Sequence, residues 1–245
     1  MRPVGFSTGA LAKGDYRRGL ELQRALPRAR AVELSALRDH ELQPLLDGLG
    51  ELDLGGLDYV SVHAPSKLGS LSERETFERL AALPEAWPII VHPCIVHSFA
   101  MWRELGPRLC LENMDNRKTT GRNAAELRVL FEQLPEATFC LDVGHARQID
   151  PTMALALLML HEHGSRLRQL HVSDVGPRGE HQPVRALARW AFARVARLVP
   201  ESCPLIIESV VPPDRLEPEI EAVLEAFGPM GSGAPGLDAS APPAP

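Results

Sequence analysis

Leu109-Cys110-Leu111-Glu112, Phe139-Cys140-Leu141-Asp142, Leu170-His171 and Leu205-Ile206-Ile207-Glu208 share one form: a short apolar run closed by a carboxylate or an imidazole. An apolar run of this length reads as a buried strand. An ionisable group at its end is costly unless something pairs with it. Four such ends suggest one shared site, and they converge only if the strands run parallel and close on themselves.

Working outward, similar runs recur at Val4–Phe6, Ala31–Leu34, Tyr59–His63 and Ile89–His92, making eight in all, spaced mostly about 20 to 36 residues apart. That is the repeat of a strand-loop-helix-loop unit. Helical periodicity fills the gaps at 15–26, 72–83, 123–134, 151–163, 184–198 and 218–227, and more weakly at 38–49 and 98–105. Ser72-Glu73-Arg74-Glu75 has the pattern of a capping box, and Pro151 and Pro218 suit a first helical turn. The expected fold is therefore α/β: a parallel (β/α)8 TIM barrel forming a single domain over 1–227. A doubly wound open sheet is the rival, but the chain has no Gly-rich phosphate loop of either common type.

The 245 residues are 44% hydrophobic and 24% charged, an ordinary globular composition. No apolar stretch approaches a membrane span and the first residues lack the apolar region of a secretory signal, so a cytoplasmic location is expected. A formal net charge of −6 does not favour a nucleic-acid partner. Cys94, Cys110, Cys140 and Cys203 have no paired spacing, which argues against a disulfide framework or a CxxC zinc site. The Gly/Pro/Ala-rich tail 228–245 has little apolar bulk to repay the entropy of ordering and is expected to be disordered. Oligomeric state is not legible, though exposed helix faces leave room for an oligomer.

Active sites of such barrels form where the strands end. Those positions hold Glu33, His63, His92, Glu112, Asp142 with His145, His171 with Ser173, Asp174 and His181, and Glu208. Carboxylate and imidazole ligands without thiolate suit Mn, Zn, Fe or Co. Glu112, Asp142, His171 and Glu208 would hold one such metal and leave two positions open. Lys67, Arg117, Lys118 and Arg147 follow strand ends and could bind an anionic group of a substrate. Asp174 is expected to support a ligand or act as acid and base, and Glu33 to pair with an arginine at the barrel mouth or meet substrate. His40, His97, His161 and His163 are read as solvent or packing residues.

The pieces LENMDNRK (111–118), LDVGHARQ (141–148) and LHVSD (170–174) resemble the xylose isomerase-like superfamily. It includes ketose epimerases, hydroxypyruvate isomerase, inosose dehydratase and endonuclease IV. The resemblance implies a metal on Glu112, Asp142, His171 and Glu208, with His145 contacting substrate or a second metal. His63, His92 and His181 stand where endonuclease IV has further ligands. One position departs: an Asp expected two residues before His181 is Gly179, which leaves one to two divalent metals per chain rather than three. The leading expectation is an isomerase or epimerase of a small sugar-like or hydroxycarbonyl substrate, with Glu112 and Glu208 moving the proton. The alternatives are a metal-dependent phosphodiester hydrolase of the endonuclease IV type, a multinuclear non-haem iron oxidase, and a barrel with a vestigial site.

Overall fold

The computed structural model describes residues 2–228, so the tail expected over 228–245 lies, beyond its first residue, outside the described residues. Eight parallel strands close into a barrel. They are β1 (Val4–Ser7), β2 (Ala29–Ser35), β3 (Tyr59–His63), β4 (Ile89–Val91), β5 (Leu109–Glu112), β6 (Thr138–Asp142), β7 (Leu167–Val172) and, last in the chain, β10 (Leu205–Ile207). Two further strands, β8 (Asp174–Val175) and β9 (His181–Gln182), form an antiparallel hairpin on the loop after β7. The sequence gives no strand signal there, because a two-residue ladder carries no alternation to read.

The strands separate their side chains with period two. Val4, Phe6, Val32, Leu34, Ile89, Val91, Leu109, Leu111, Phe139, Leu141, Leu170, Val172, Leu205 and Ile207 are all buried and belong to one apolar cluster with the surrounding helices. The opposite parity faces the barrel interior. There Ile90, Cys110 and Cys140 form a small separate apolar cluster. Directly along the same strands come Glu112 and Asp142, two residues beyond Cys110 and Cys140. An apolar plug thus lies beneath a polar layer, and that layer is at the C-terminal mouth.

The helices follow their local signals. Asp15 caps the helix Tyr16–Arg24 by accepting the Arg18 N–H, and Ser72 and Glu75 complete the capping box of Glu73–Ala81. The segment expected as a helix from Pro151 departs from expectation: helices run Val143–Ile149 and Ala154–His163, with Pro151 in the turn between them. Asp150 accepts the backbone N–H groups of Thr152 and Leu155, which stops the first helix and starts the second. His163 is buried against Phe131 and Phe139, as a packing residue, with Nε2 2.9 Å from the Ala124 carbonyl. His40, His97 and His161 are exposed.

Phe139 is fully buried on the helix-facing side of β6 and meets Phe131 edge-on, ring centroids 6.2 Å apart. We expect Phe139→Ala to lower the unfolding free energy by about 3–5 kcal/mol in a denaturant titration. A loss under about 1 kcal/mol would contradict close packing of this layer.

Candidate metal centre

The chain fixes Asp142 through the turn that follows it. Asp142 is the N-cap of Val143–Ile149, and its Oδ1 accepts the His145 N–H at 2.7 Å. This explains the Asp-x-x-His spacing: cap and third helical residue face each other. Gly144 lies between them because a Cβ there would be 2.4 Å from the Ser173 carbonyl oxygen of β7's loop. Asn113 ties β5 to β6, donating from Nδ2 to the Asp142 carbonyl at 2.9 Å and accepting the Asp142 N–H at 2.8 Å.

Glu112 is the common partner of the site. Its Oε2 lies 3.2 Å from His63 Nε2 and 3.2 Å from His92 Nε2. Its Oε1 lies 3.2 Å from His145 Nδ1 and 3.5 Å from His171 Nδ1. Glu208 Oε2 in turn lies 3.5 Å from His171 Nδ1 and 3.7 Å from His181 Nδ1. One ligand atom from each of Glu112, Asp142, His171 and Glu208 lies within 4.8 Å of all the others, and the same holds for His63, His92 and Glu112. The two oxygens of Glu112 therefore face two different groups of ligands.

His171 is positioned from below. Its Nε2 donates to Glu33 Oε2 at 2.9 Å, and Gln169 Nε2 donates to the same oxygen at 2.8 Å. Tyr59 donates to Gln169 Oε1 at 2.6 Å. With a proton on Nε2, Nδ1 is the nitrogen that faces the mouth. His63 is fixed the same way: Nδ1 lies 2.7 Å from the Ala64 carbonyl, leaving Nε2 towards Glu112. Nδ1 of His145 lies 2.9 Å from the Asn113 carbonyl, so its proton is there and Nε2 is the free nitrogen.

The cluster fits a divalent metal. Asp142 Oδ2 and His171 Nδ1 are both sealed from solvent and have no hydrogen-bond partner. Two such orphans in one four-ligand group are a large desolvation cost that a cation would remove. Ionisation tells the same story. Burial and the nearby Glu112 and Glu208 push Asp142 up to about 6, against the pull of His145. Burial also raises Glu208. Burial opposes charge on Glu112 too, but His171 and His92 outweigh it and hold this carboxyl well below the usual range. Burial opposes charge on His63 and His145, yet the bond to Glu112 lifts the first to about 9 and Asp142 lifts the second to about 10. Burial takes His92 down to about 4. Without metal, the carboxylates are balanced by borrowed protons on imidazoles.

A cavity of about 670 Å³ opens over this cluster. Glu112, Glu208, His63, His92, His145 and His181 line it, as do Lys67, Arg117 and Lys118. Three other expected site residues lie outside this lining. Glu33 is completely buried and pairs with an imidazole, not with an arginine at the mouth. Arg147 and Asp174 pair with each other outside the cavity lining, at 2.5 Å, and so neutralise one another. Sequence reasoning missed Gln169, Tyr59 and Asn113. Gln169 was readable in principle, two residues before His171 and so on the same inward face. Asn113 had no such signal.

Gly179 has a structural reason. Its φ is +78°, and an added Cβ would lie 2.0 Å from the Arg117 Cζ. The guanidinium fills the space a side chain would need. Asp115 binds Arg117 through Nε at 2.8 Å, and the Arg178 carbonyl accepts from Nη1 at 2.8 Å.

Solved structures share this barrel fold. Endonuclease IV from Thermus thermophilus is 19% identical, with 92% of this chain and 98% of that one covered at a TM-score of 0.58. The probable 3-DHS dehydratase AsbF of Bacillus anthracis, involved in petrobactin synthesis, is 12% identical, with 91% and 98% covered at 0.59. D-psicose 3-epimerase from Clostridium cellulolyticum, solved with D-tagatose, is 14% identical, with 90% and 89% covered at 0.54. The chain has the xylose isomerase-like barrel fold. No protein-family model matches it, and no curated protein matches it in sequence. Among the described residues no helix is long and apolar enough to cross a membrane.

Two outcomes are expected. Adding Zn²⁺ or Mn²⁺ at about 100 times its dissociation constant should stabilise the protein by roughly 2.7 kcal/mol, seen as a rise in Tm that a chelator reverses. Because His63, lifted to about 9, carries a proton in the metal-free chain, ligation by it should release that proton, and the shift should shrink as pH falls from 8 to 6. An unchanged Tm across that range would contradict the fit. Separately, Gly179→Ala should cost more than about 1 kcal/mol, since it combines a left-handed backbone with the Arg117 clash. Part of that loss should return in Arg117→Ala/Gly179→Ala, and a double-mutant cycle with no coupling would remove the clash as the cause.

Proposed function

We propose that the chain is a hydrolase that uses two divalent metals to cleave a phosphoester in a small molecule. The observation that carries this reading is the Glu112 carboxylate, one oxygen of which faces His63 and His92 while the other faces His171 and the Asp142–Glu208 side. A carboxylate so placed suits bridging. His63 and His92 would hold one metal, Asp142, His171 and Glu208 the other, and Glu112 both. When bound, the pair would supply Lewis acidity towards a phosphoryl oxygen and acidity to water.

The chain's own residues do the rest. Glu33 and Gln169 keep the His171 lone pair towards the mouth, and the Ala64 carbonyl does the same for His63. His145 and His181 stand on the cavity wall beside Glu112 and Glu208, where they would contact the group being cleaved. Hydrolysis forms a bond between phosphorus and a water oxygen and breaks the bond to the ester oxygen, which leaves with a proton. The cavity is of small-molecule size, which favours a compact ester over a duplex. Endonuclease IV is among the structural neighbours, and its name supports hydrolysis on this fold.

A second reading keeps one specific observation in its favour. Glu112 and Glu208 flank His171, each 3.5 Å from its Nδ1, as two carboxylates would in moving a proton between neighbouring carbons of a hydroxycarbonyl substrate. The epimerase neighbour supports this isomerase reading.

Elemental analysis of the purified protein, paired with assays on p-nitrophenyl phosphate and bis-p-nitrophenyl phosphate, separates the two. The hydrolase reading expects two metals per chain and a loss of more than about a thousandfold in rate for Glu112→Ala, as expected when a group central to the transition state is removed. One metal per chain, no ester cleavage, and solvent deuterium entering a ketose next to its carbonyl would replace it with the isomerase reading.

A further inference from the structure

The cavity wall also carries cations that are not among the metal-competent residues. Lys67 and Lys118 both line it. Among the described residues neither has a carboxylate within ion-pair distance, in a chain whose net charge is −6. The remaining cation of the wall, Arg117, differs, because Asp115 neutralises it. The loops that carry the two lysines meet at Cys94. Lys118 Nζ lies 3.6 Å from Cys94 Sγ, and that sulfur lies 3.9 Å from the carbonyl oxygen of Ser66, the residue next to Lys67. The loop that carries Lys118 is shaped to reach this point: the Lys118 N–H bonds the Asp115 carbonyl, and Gly121, at φ +79°, packs against Pro93 just after β4.

Two ammonium groups on one cavity wall without a paired carboxylate leave positive charge that a bound anion would balance. Lys67 also lines an adjoining groove of about 550 Å³, where Lys13 and Arg38 stand beside Asp39 and Glu41. We propose that Lys67 and Lys118 bind a second anionic group of the substrate, which makes that substrate a small molecule with two anionic groups, such as a bisphosphate. This rests on the reading above that the metal end takes the phosphoryl group that reacts. The lysines then fix which end of the molecule enters first, and a neutral or singly charged ester lacks that hold.

The test uses the metal-loaded protein and two probes, fructose 6-phosphate and fructose 1,6-bisphosphate, with affinity measured by calorimetry. The bisphosphate should bind at least about ten times more tightly, close to 1.4 kcal/mol. In Lys67→Ala/Lys118→Ala that preference should fall to within about twofold, with metal content and Tm unchanged. Lys67→Arg/Lys118→Arg should keep it, and raising the salt should weaken it in the wild type. No preference in the wild type, or one that survives the double alanine change, would overturn the inference. Metal content and ester cleavage are read separately. A two-anion preference without cleavage would sink the hydrolase reading and leave the lysine site standing.

Discussion

Everything at the mouth of this barrel depends on the cost of burying Glu112. A carboxylate sealed from water needs compensating charge or several donors. Here it has four imidazoles around it, reached from β3, β4, β7 and the helix after β6. Each of those strands can bring its imidazole only if the barrel closes in the observed register. The site and the closure are thus one constraint. Strand pairing places Glu112 beside Cys140 and Asp142 beside His171, so a slip of one residue would turn these groups into the helix layer.

The interior below the site is apolar at Ile90, Cys110 and Cys140 and polar beneath His171. Tyr59, Gln169 and Glu33 form a hydrogen-bonded chain that ends on His171. Every link is buried or partly so, and such a chain holds an orientation better than a single contact. A ligand cluster supported this way keeps its lone pairs aimed at the mouth.

Much of this was legible in the chain and some was not, for definable reasons. The eight barrel strands could be read because each is a short apolar run at a regular interval, and Glu112, Asp142, His171 and Glu208 stood at their ends. The structure brings these four together, with His63, His92, His145 and His181 beside them. Glu33 was placed at the mouth because strand ends were taken as level. In fact β2 runs on to Ser35, so Glu33 sits one layer deeper. Arg147 and Asp174 looked like free charges because their pairing spans two loops. The hairpin of β8 and β9 was invisible because it is two residues per strand, and its register, with the Ser173 hydroxyl 2.8 Å from His181 Nδ1, sets His181 beside Glu208.

That hairpin is held from outside. Its turn is closed by Gly176 and Gly179, and the Arg117 guanidinium from the loop after β5 rests on Gly179. The loops after β5 and β7 are thus joined, by the Arg117 cation and by Gln148, which accepts the Asn116 N–H at 3.2 Å and donates to the Gly176 carbonyl at 2.7 Å. Grafting a longer loop at either position would have to carry its counterpart along, so the two loops form the smallest exchangeable module of this barrel's mouth.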